Sequence, residues 1–467
     1  MGDERMVLPS RDDCLEMLSK YQVDEFVVLH SLAVADVAVL LARLLRERGE
    51  TVDLRLTECA ALLHDIGKGN LVEKYTGCFA GRDHAFLSAQ VVCRENLPGL
   101  ATAVGKHMLD SILDPVAQPK SWEERLVWYA DKATLFRHMG LSRRMRDIAA
   151  RHRQASRTVS LVIPHAESLE DDIFSRLGGV SPRALGGLVA RRAAGRLDTA
   201  IGTTFDYSVE IGDMMAAVGE EGFGSVSLAG GNVGHSGYDS AAGLERLAGL
   251  RSRTGVGITS IHAPFKHDMA SPDACARDSA VEDARMAARA AATLGAGVVI
   301  VHPHGWLEIA EAETIRTISS SIQAVLDGTP EGVRIAVENL PSPCSPAVLR
   351  AVLNAFPRER IGFCYDSSHH NLRPREFDFL GEFGDRLISV HISDNRGQRD
   401  DHQVPGEGVI DWRSFTSRFG RLDYREPFLL EVETRESSWK EPRVFLSEAF
   451  AMAEWLLAMS DRLGALT

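Results

Sequence analysis

Imidazole and carboxylate side chains recur at the ends of apolar runs in the second half of the chain. The runs "GITSIH", "VVIVH", "VRIAVE", "IGFCYD", "LISVH" and "PFLLE" end at His262, His302, Glu338, Asp366, His391 and Glu431. Short apolar runs of this kind predict buried parallel strands. In a (β/α)8 barrel the carboxyl ends of the strands converge on one face, where catalysis takes place. Because these side chains are metal ligands, the pattern predicts a metal site there.

A second set of metal-type ligands lies in the first third of the chain. The string "HDIGKG" places His64 and Asp65 side by side, which offers a divalent metal one neutral nitrogen and one anionic oxygen. Four further candidates flank this pair in the sequence: His30, His84 in "GRDHAF", His107 in "VGKHML" and Asp131 in "WYADKA". The sequence therefore predicts a separate metal site among the elements that carry them.

The elements that must position these residues divide the chain into two halves. Over 10–150, apolar residues recur every three or four positions and predict helices, including a buried helix over 26–45 and one over 121–139 capped by Ser121. After 197, strands and helices alternate. The predicted strands are 198–204, 223–229, 257–262, 297–302, 333–338, 361–366, 387–391 and 427–431. We expect a multidomain protein, with an all-α domain over 10–150 and a C-terminal (β/α)8 TIM barrel over 197–467.

An arginine-rich segment joins the two halves and is predicted to be a helical linker over 151–196. Residues 137–196 hold twelve arginines, no lysine and five acidic residues, a local charge of about +7. These arginines are either solvated faces of helices or a surface that guides an anionic substrate or docks against an acidic partner.

The composition restricts the classes of partner and the compartment. A net charge of −13 disfavours non-specific binding to nucleic acid. Seven cysteines without a CxxC pair fit a reducing cytoplasm better than a disulfide framework. The start "MGDERMVLPSRDD" has no apolar signal core, and the 26–45 run contains Asp36 and Arg43, which make it too polar for a membrane span. We expect a cytoplasmic protein without membrane contact, and the sequence leaves open a homo-oligomer.

The order His, His-Asp, His, His, Asp over about 20–140 resembles the HD-domain metal-dependent phosphohydrolases. The resemblance implies a primary metal (Mn, Mg, Fe or Co) held by His30, His64, Asp65 and Asp131. It also implies a second metal completed by His84 and His107, with Asp65 bridging, and contact between Lys68 and a substrate phosphate. Two metals would clamp a phosphoryl oxygen and activate water. An alternative is an HD domain that binds a signalling nucleotide without cleaving it and regulates the barrel.

The second half is similar to the xylose-isomerase-like TIM barrels, which include sugar isomerases, epimerases and endonuclease IV-type enzymes. The resemblance covers about 197–460 and rests on "IHAPF", "VVIVHPHG", "VENLP", "CYDSSHHN", "VHISDN", "DDHQVPGEGVIDW" and "FLLEVE". The likeness to the epimerases implies one Mn, Mg, Co or Zn ion on Glu338, Asp366, His391 and Glu431. The two glutamates would then also exchange protons with a sugar carbon, and His369 would orient the sugar. Arg396 and Glu407 are further candidates for substrate contact, with a turn role as the default for Glu407.

The likeness to endonuclease IV implies a larger, trinuclear zinc cluster in the barrel. Asp366 and His369 show the D-x-x-H spacing of that enzyme, and Asp400 and His402 show its D-x-H spacing. The full ligand set would be His262, His302, Glu338, Asp366, His369, His391, Asp400, His402 and Glu431. Such a cluster would activate water and stabilise both oxygens of a phosphodiester displacement.

The acidic net charge and the short, cation-poor loops after the strands favour a small sugar-like or phosphorylated substrate over nucleic acid. We therefore expect a bifunctional enzyme. Its HD domain would hydrolyse a phosphate ester of a nucleotide or a sugar, and its barrel would isomerise or epimerise a related sugar or sugar phosphate.

Overall fold

The structure is a computed structural model that describes residues 8–464 except 78–81, 137, 152–155, 183–184, 186–196, 306 and 308. The chain divides into two compact units, Met1–Arg196 and Leu197–Thr467. The first is helical and the second holds one parallel sheet, so the expected fold class is confirmed.

The first unit is built from helices around one apolar core. They are α1 (Arg11–Lys20), α2 (Glu25–Glu47), α3 (Leu54–Leu63), α4 (Val72–Thr76), α5 (His84–Arg94), α6 (Ala101–Gly105), α7 (Trp122–Ala133), α8 (Leu141–Arg151) and α9 (Ser156–Ser175). Helix α2 begins at the N-cap Asp24 and packs mainly against α3 and α7. By length and composition alone it could cross a membrane, but 61% of its most apolar window is buried inside the protein, as predicted for a core helix.

Helix α7 is shorter than the predicted 121–139. Ser121 caps it as expected, with a reciprocal bond between the Ser121 and Glu124 side chains and backbones. The helix ends at Ala133 because Thr134 is extended and bridges to His138 in an antiparallel pair. The early end of the helix leaves the carbonyl of Leu135 free to accept a hydrogen bond from His30 Nδ1 at 2.8 Å.

The arginine-rich segment lies partly in the core of the first unit. Helix α9, within the predicted linker over 151–196, buries Val159, Val162 and Ile173 in the apolar core of that unit. Residues 186–196, which carry the last three arginines, lie outside the described residues.

The second unit is an eight-stranded parallel barrel in the order β7-β6-β5-β4-β3-β2-β1-β8. The strands are β1 (Thr199–Gly202), β2 (Ser225–Leu228), β3 (Gly257–His262), β4 (Val298–Val301), β5 (Arg334–Glu338), β6 (Ile361–Asp366), β7 (Leu387–His391) and β8 (Phe428–Leu430), so all eight predicted strands are confirmed. A parallel bridge between Ile392 and Leu430 nearly closes the barrel. The strands are buried on both faces, which explains their continuous apolar runs.

Helices cover the outside of the barrel between successive strands. They are α10 (Ile211–Glu221), α11 (Val233–Ser236), α12 (Ala241–Thr254), α13 (Ala274–Leu294), α14 (Ala312–Asp327), α15 (Ser345–Ala355), α16 (Ser367–Leu372), α17 (Phe379–Phe383), α18 (Trp412–Phe419) and α19 (Pro442–Gly464). Because every strand runs in the same direction, the predicted ligands at the strand ends all reach one face of the barrel.

Two candidate metal centres

The six predicted ligands of the first unit come together although five different segments carry them. Two groups form, in each of which one ligand atom per residue lies within 4.8 Å of the others: His30, His64 and Asp65, and Asp65, His84 and His107. Asp65 belongs to both groups. Asp131 joins the first group, because its Oδ1 lies 3.1 Å from His30 Nε2 and 3.8 Å from His64 Nε2.

Backbone carbonyls orient three of these imidazole rings. The Nδ1 atoms of His30, His64 and His107 donate to the carbonyls of Leu135, Ala61 and Val104 at 2.7–2.8 Å. The opposite nitrogen of each ring is thereby turned toward the carboxylates, with the Nε2 atoms of His64 and His107 buried and lacking a hydrogen-bond partner. Orphaned nitrogens fixed by a second bond on the other ring edge are what a metal ligand requires.

The charges in this cluster also fit a divalent metal. Burial lowers the pKa of His64 to about 3 and that of His84 to about 4, so both rings are neutral and can donate a lone pair. Burial alone would raise the pKa of Asp65, but His64, His107 and Lys68 hold it well below its usual value. The cluster therefore offers neutral nitrogens and ionised oxygens.

The "HDIGKG" turn brings the ligands of the first unit close to helix α5. A Cβ on Gly67 would lie 2.3 Å from the carbonyl oxygen of His84, so only glycine permits this approach. Lys68, on the same turn, places its Nζ 2.6 Å from Asp65 Oδ2, and its side chain is 41% exposed. The lysine predicted to meet a phosphate thus stands at the open side of the cluster.

In the barrel, the four predicted core ligands share one position. Single ligand atoms of Glu338, Asp366, His391 and Glu431 all lie within 4.8 Å of one another. His391 Nδ1 is 3.0 Å from Glu431 Oε2 and 3.3 Å from Glu338 Oε2. The geometry is compatible with a single shared ion.

The other five predicted ligands of the barrel join this core in two directions. The Nε2 atoms of His262 and His302 each lie 3.4 Å from Glu338 Oε2. On the other side, Asp400 Oδ2 lies 3.1 Å from His369 Nε2 and 3.0 Å from His402 Nε2. All nine residues of the larger predicted set therefore form one connected cluster.

Glu338 is the hub of the cluster. Its Oε2 is contacted by three imidazoles and its Oε1 lies 3.1 Å from His369 Nδ1. The residue is 1% exposed, and neither carboxylate oxygen has a hydrogen-bond partner of good geometry. Burial would raise its pKa, but His391 and His302 hold it well below the usual value.

Buried carboxylates and imidazoles of the barrel pocket shift one another's pKa values. Burial, together with Glu338, Asp400 and Glu431, raises the pKa of Asp366 to about 7, although His369 opposes this rise. The pKa of His402 rises to about 10 despite burial because Asp400 stabilises its protonated ring. The buried carboxylates thus favour positive charge beside them, which bound divalent ions would also supply.

Backbone geometry orients the ligands of the two closely spaced pairs, D-x-x-H and D-x-H. In the D-x-x-H pair, Asp366 caps α16 by accepting the His369 N–H at 2.6 Å, which sets both side chains on the same side of the helix. His402, in the D-x-H pair, has φ +47° and donates from Nδ1 to the Glu431 carbonyl at 3.0 Å. A non-glycine residue in this left-handed region is strained, and such strain is typical of functional positions.

Sequence reasoning missed two supporting residues. Asn339 directly follows Glu338, and its side-chain amide exchanges two hydrogen bonds with the backbone of Asp366, at 2.7 and 2.9 Å. In the first unit, Lys132 contacts the Asp131 carboxylate. A polar residue immediately next to a predicted ligand was the available signal in both places.

The two remaining candidates for substrate contact, Glu407 and Arg396, lie in the loop after β7. The Glu407 carboxylate accepts the backbone N–H groups of Val404 and Ser438 at 3.2 and 2.6 Å, which is the default turn role. Arg396 is exposed, and its backbone N–H donates to Asp401 Oδ2 at 3.3 Å. Asp394 holds the rest of the loop by accepting from Gly406 N and Trp412 Nε1.

Comparison with known proteins agrees with both units. Residues 215–449 match the xylose isomerase-like TIM barrel family, and the chain belongs to this family. Residues 27–135 match the HD domain. The chain is thus a two-domain enzyme whose candidate clusters fit divalent metal ions.

Similar proteins cover parts of the chain. Uncharacterized protein y4fM of Sinorhizobium fredii is 38% identical over 104 residues, which is 21% of this chain and 33% of that protein. Uncharacterized protein MJ1311 of Methanocaldococcus jannaschii is 29% identical over 200 residues, 40% of this chain and 68% of that protein. The chain thus spans one third of the length of the first relative and about two thirds of the second.

Solved structures with a similar fold include two described as epimerases or epimerase-like. A D-tagatose 3-epimerase-like protein has 22% identity and a TM-score of 0.49, covering 57% of this chain and 99% of its own. A D-allulose 3-epimerase from Methylomonas sp. has 17% identity and a TM-score of 0.45, covering 55% of this chain and 95% of its own.

Proposed function

We propose that both units hydrolyse phosphoesters of small molecules with bound divalent metals, and that the barrel holds more than one metal ion. The observation that carries the barrel assignment is the position of Glu338, whose two oxygens are shared among His262, His302, His369 and His391 at 3.1–3.4 Å. A carboxylate surrounded in this way is suited to bridge cations. It is poorly suited to exchange protons with a sugar carbon, because it is 1% exposed.

The charge of the barrel pocket supports an anionic substrate. The carboxylates among its predicted ligands are Glu338, Asp366, Asp400 and Glu431. Two divalent ions would neutralise these four groups, and a third would leave the pocket positive, which attracts a phosphoester. When bound, such ions polarise a phosphoryl oxygen and make water a better nucleophile.

The chain's own residues define where a substrate can approach the barrel cluster. Asp366, His391 and Glu338 form its buried floor. His302, Asp400 and His402 are 21–27% exposed at the side chain and form its open rim. The rim would contact the reacting group, and the floor would fix the geometry.

A small substrate fits the surface around the barrel better than a nucleic acid duplex. Arg399, one of the two cations in the loop that carries Asp400 and His402, is paired with Asp401 and Glu436 at 2.5 and 2.7 Å. A duplex requires cations that are available to the phosphates along its backbone.

In the helical unit, the same chemistry uses the two ligand groups that share Asp65. Lys68 is exposed enough to exchange its contact with Asp65 for a substrate phosphate. Hydrolysis in the helical unit and in the barrel could serve consecutive phosphorylated intermediates, and separate loss of each site should then affect related substrates.

A second candidate for the barrel is the isomerase or epimerase predicted from the sequence. The close grouping of Glu338, Asp366, His391 and Glu431 favours it, since these four residues suffice for one ion. Glu431, with a side chain 15% exposed, would be the more accessible of its two proton-transferring glutamates.

Metal content and turnover distinguish the two candidates. The full chain is reconstituted with zinc or manganese, its metals are counted by mass spectrometry, and turnover of aryl phosphate mono- and diesters is compared with epimerisation of ketohexoses. More than one ion in the barrel together with diester hydrolysis supports the proposal. A single barrel ion with epimerisation and no hydrolysis overturns it.

A further inference from the structure

Lys132 occupies an unusual position beside the helical metal cluster. It directly follows Asp131 on α7, and its ammonium contacts Asp131 Oδ2. Adjacent residues on a helix point in different directions, so this contact requires the long lysine stem to fold back toward the carboxylate. The residue is 9% exposed, which makes it a buried cation placed on a predicted metal ligand.

The two oxygens of Asp131 have different neighbours. Oδ1 faces the imidazoles, 3.1 Å from His30 Nε2 and 3.8 Å from His64 Nε2. Oδ2 is held by Lys132. Only Oδ1 is therefore directed at the position where a metal would be held by His30, His64 and Asp65.

Lys68 makes a similar contact with a carboxylate, but its side chain is far more exposed to solvent. Its Nζ lies 2.6 Å from Asp65 Oδ2, but its side chain is 41% exposed, whereas that of Lys132 is 11% exposed. Lys68 can leave its carboxylate for a substrate phosphate in open solvent. Lys132 cannot leave without placing an unpaired ammonium in the protein interior, which is strongly unfavourable.

We propose that Lys132 is a positioning residue that occupies one oxygen of Asp131, limits that carboxylate to a single metal contact and keeps a coordination position open for substrate. This inference rests on the proposed metal-dependent function of the helical unit. A catalytic metal site needs such an open position, whereas a closed one is structural.

The charge of Lys132 gives this role an unusual consequence. A cation on Asp131 opposes the binding of a second cation to the same carboxylate. Removing the charge should therefore tighten metal binding while hydrolysis slows, because Asp131 can then use both oxygens. A lysine that merely stabilised the fold would show the opposite, with weaker binding after its removal.

The test is calorimetric titration of the full chain with Mn²⁺ alone. The same titration of an Asp65→Asn variant is subtracted, and the difference gives the Mn²⁺ binding of the helical site. Lys132→Met and Lys132→Gln should each bind Mn²⁺ more tightly, on the order of tenfold. Their turnover of an aryl phosphate monoester should fall about 10- to 100-fold. Lys132→Arg, which keeps the charge, should stay near the wild-type affinity.

Lys20→Met serves as the matched control, because Lys20 pairs with Glu95 at 2.7 Å and contacts no predicted ligand. Its Mn²⁺ affinity should not change. Unchanged or weaker affinity in folded Lys132→Gln overturns the inference, and circular dichroism establishes which variants are folded. If wild type and Asp65→Asn titrate identically, the helical unit holds no Mn²⁺ and the proposed function itself fails.

Discussion

The helical and barrel clusters both bury carboxylates, but different positively charged groups contact these carboxylates in each. The helical cluster has two carboxylates, Asp65 and Asp131, and each is contacted by a lysine. The barrel cluster has four carboxylates, and the charged partners that the structure describes for them are all histidines. The barrel should therefore depend more strongly on bound metal, whereas the helical site is partly neutralised by the chain itself.

The largest expected effect is the loss of the barrel hub. Glu338→Gln removes the carboxylate that four imidazoles contact at 3.1–3.4 Å. Loss of a supporting contact alone lowers metal affinity by about 10- to 100-fold, so we expect loss of this central ligand to lower the metal affinity of the barrel by more than about 100-fold, with loss of barrel turnover, as measured by metal content and kinetics. Asp65→Asn is the matched control, since it should abolish only the helical activity. Equal loss of both activities in either variant would contradict two independent centres.

The next effect distinguishes the two candidate reactions of the barrel. His402→Ala removes a predicted metal ligand that contacts Asp400. Neither residue belongs to the four-residue core of Glu338, Asp366, His391 and Glu431. We expect loss of one metal equivalent and a fall in phosphodiester turnover of about 10- to 100-fold. Arg399→Ala, in the same loop, should change neither quantity. Full metal content in His402→Ala would show that the smaller core suffices and would favour the isomerase.

A smaller effect is expected from the residue that fixes the floor of the barrel site. Asn339→Ala removes both hydrogen bonds to the Asp366 backbone. Loss of such a supporting contact lowers metal affinity by about 10-fold. Titration of the metal measures this change, and Asn371→Ala is a control outside the ligand set. An unaltered affinity would mean that the strand end is rigid without Asn339.

The smallest and most specific effect is on folding stability, which should depend on pH in opposite directions in the two metal-free units. In the helical unit, burial lowers the pKa of His64 to about 3 and of His84 to about 4, below their unfolded values of about 6.5. The unfolded chain then takes up protons first, so stability is lost as the pH falls from about 6.5 toward 3.

For His402 in the barrel the sign is reversed. The pKa of His402 is raised to about 10, so its contribution is present below about 6.5 and is lost as the pH rises toward 10. Calorimetry in a chelator should show the helical transition weakening below pH 6.5 and the barrel transition weakening above pH 7, by a few degrees each. The Asp65→Asn and Glu338→Gln variants assign the transitions. If both transitions weakened in the same direction of pH, the two units would not differ in their charge balance and the prediction would be wrong.

The sequence predicted most accurately where local pattern and chemistry coincide. The eight strands follow from apolar runs that end in a ligand, since a parallel sheet buries both faces of each strand. The helix of 121–139 was predicted too long, because apolar periodicity continues past Ala133 while the bridge between Thr134 and His138 depends on tertiary packing. Lys132 was missed because its burial also depends on tertiary packing, whereas a lysine on a helix is normally expected to be exposed to solvent.

The sequence by itself determined which side chains could bind metal, because residue type and order are sufficient for the two resemblances. Only the tertiary structure decided how the ligands share charge: that Glu338 lies among four imidazoles, that Asp400 links His369 to His402, and that a buried lysine holds one oxygen of Asp131. These contacts join residues on different elements. Their distances are set by how the strands and helices pack, and no local pattern encodes that packing.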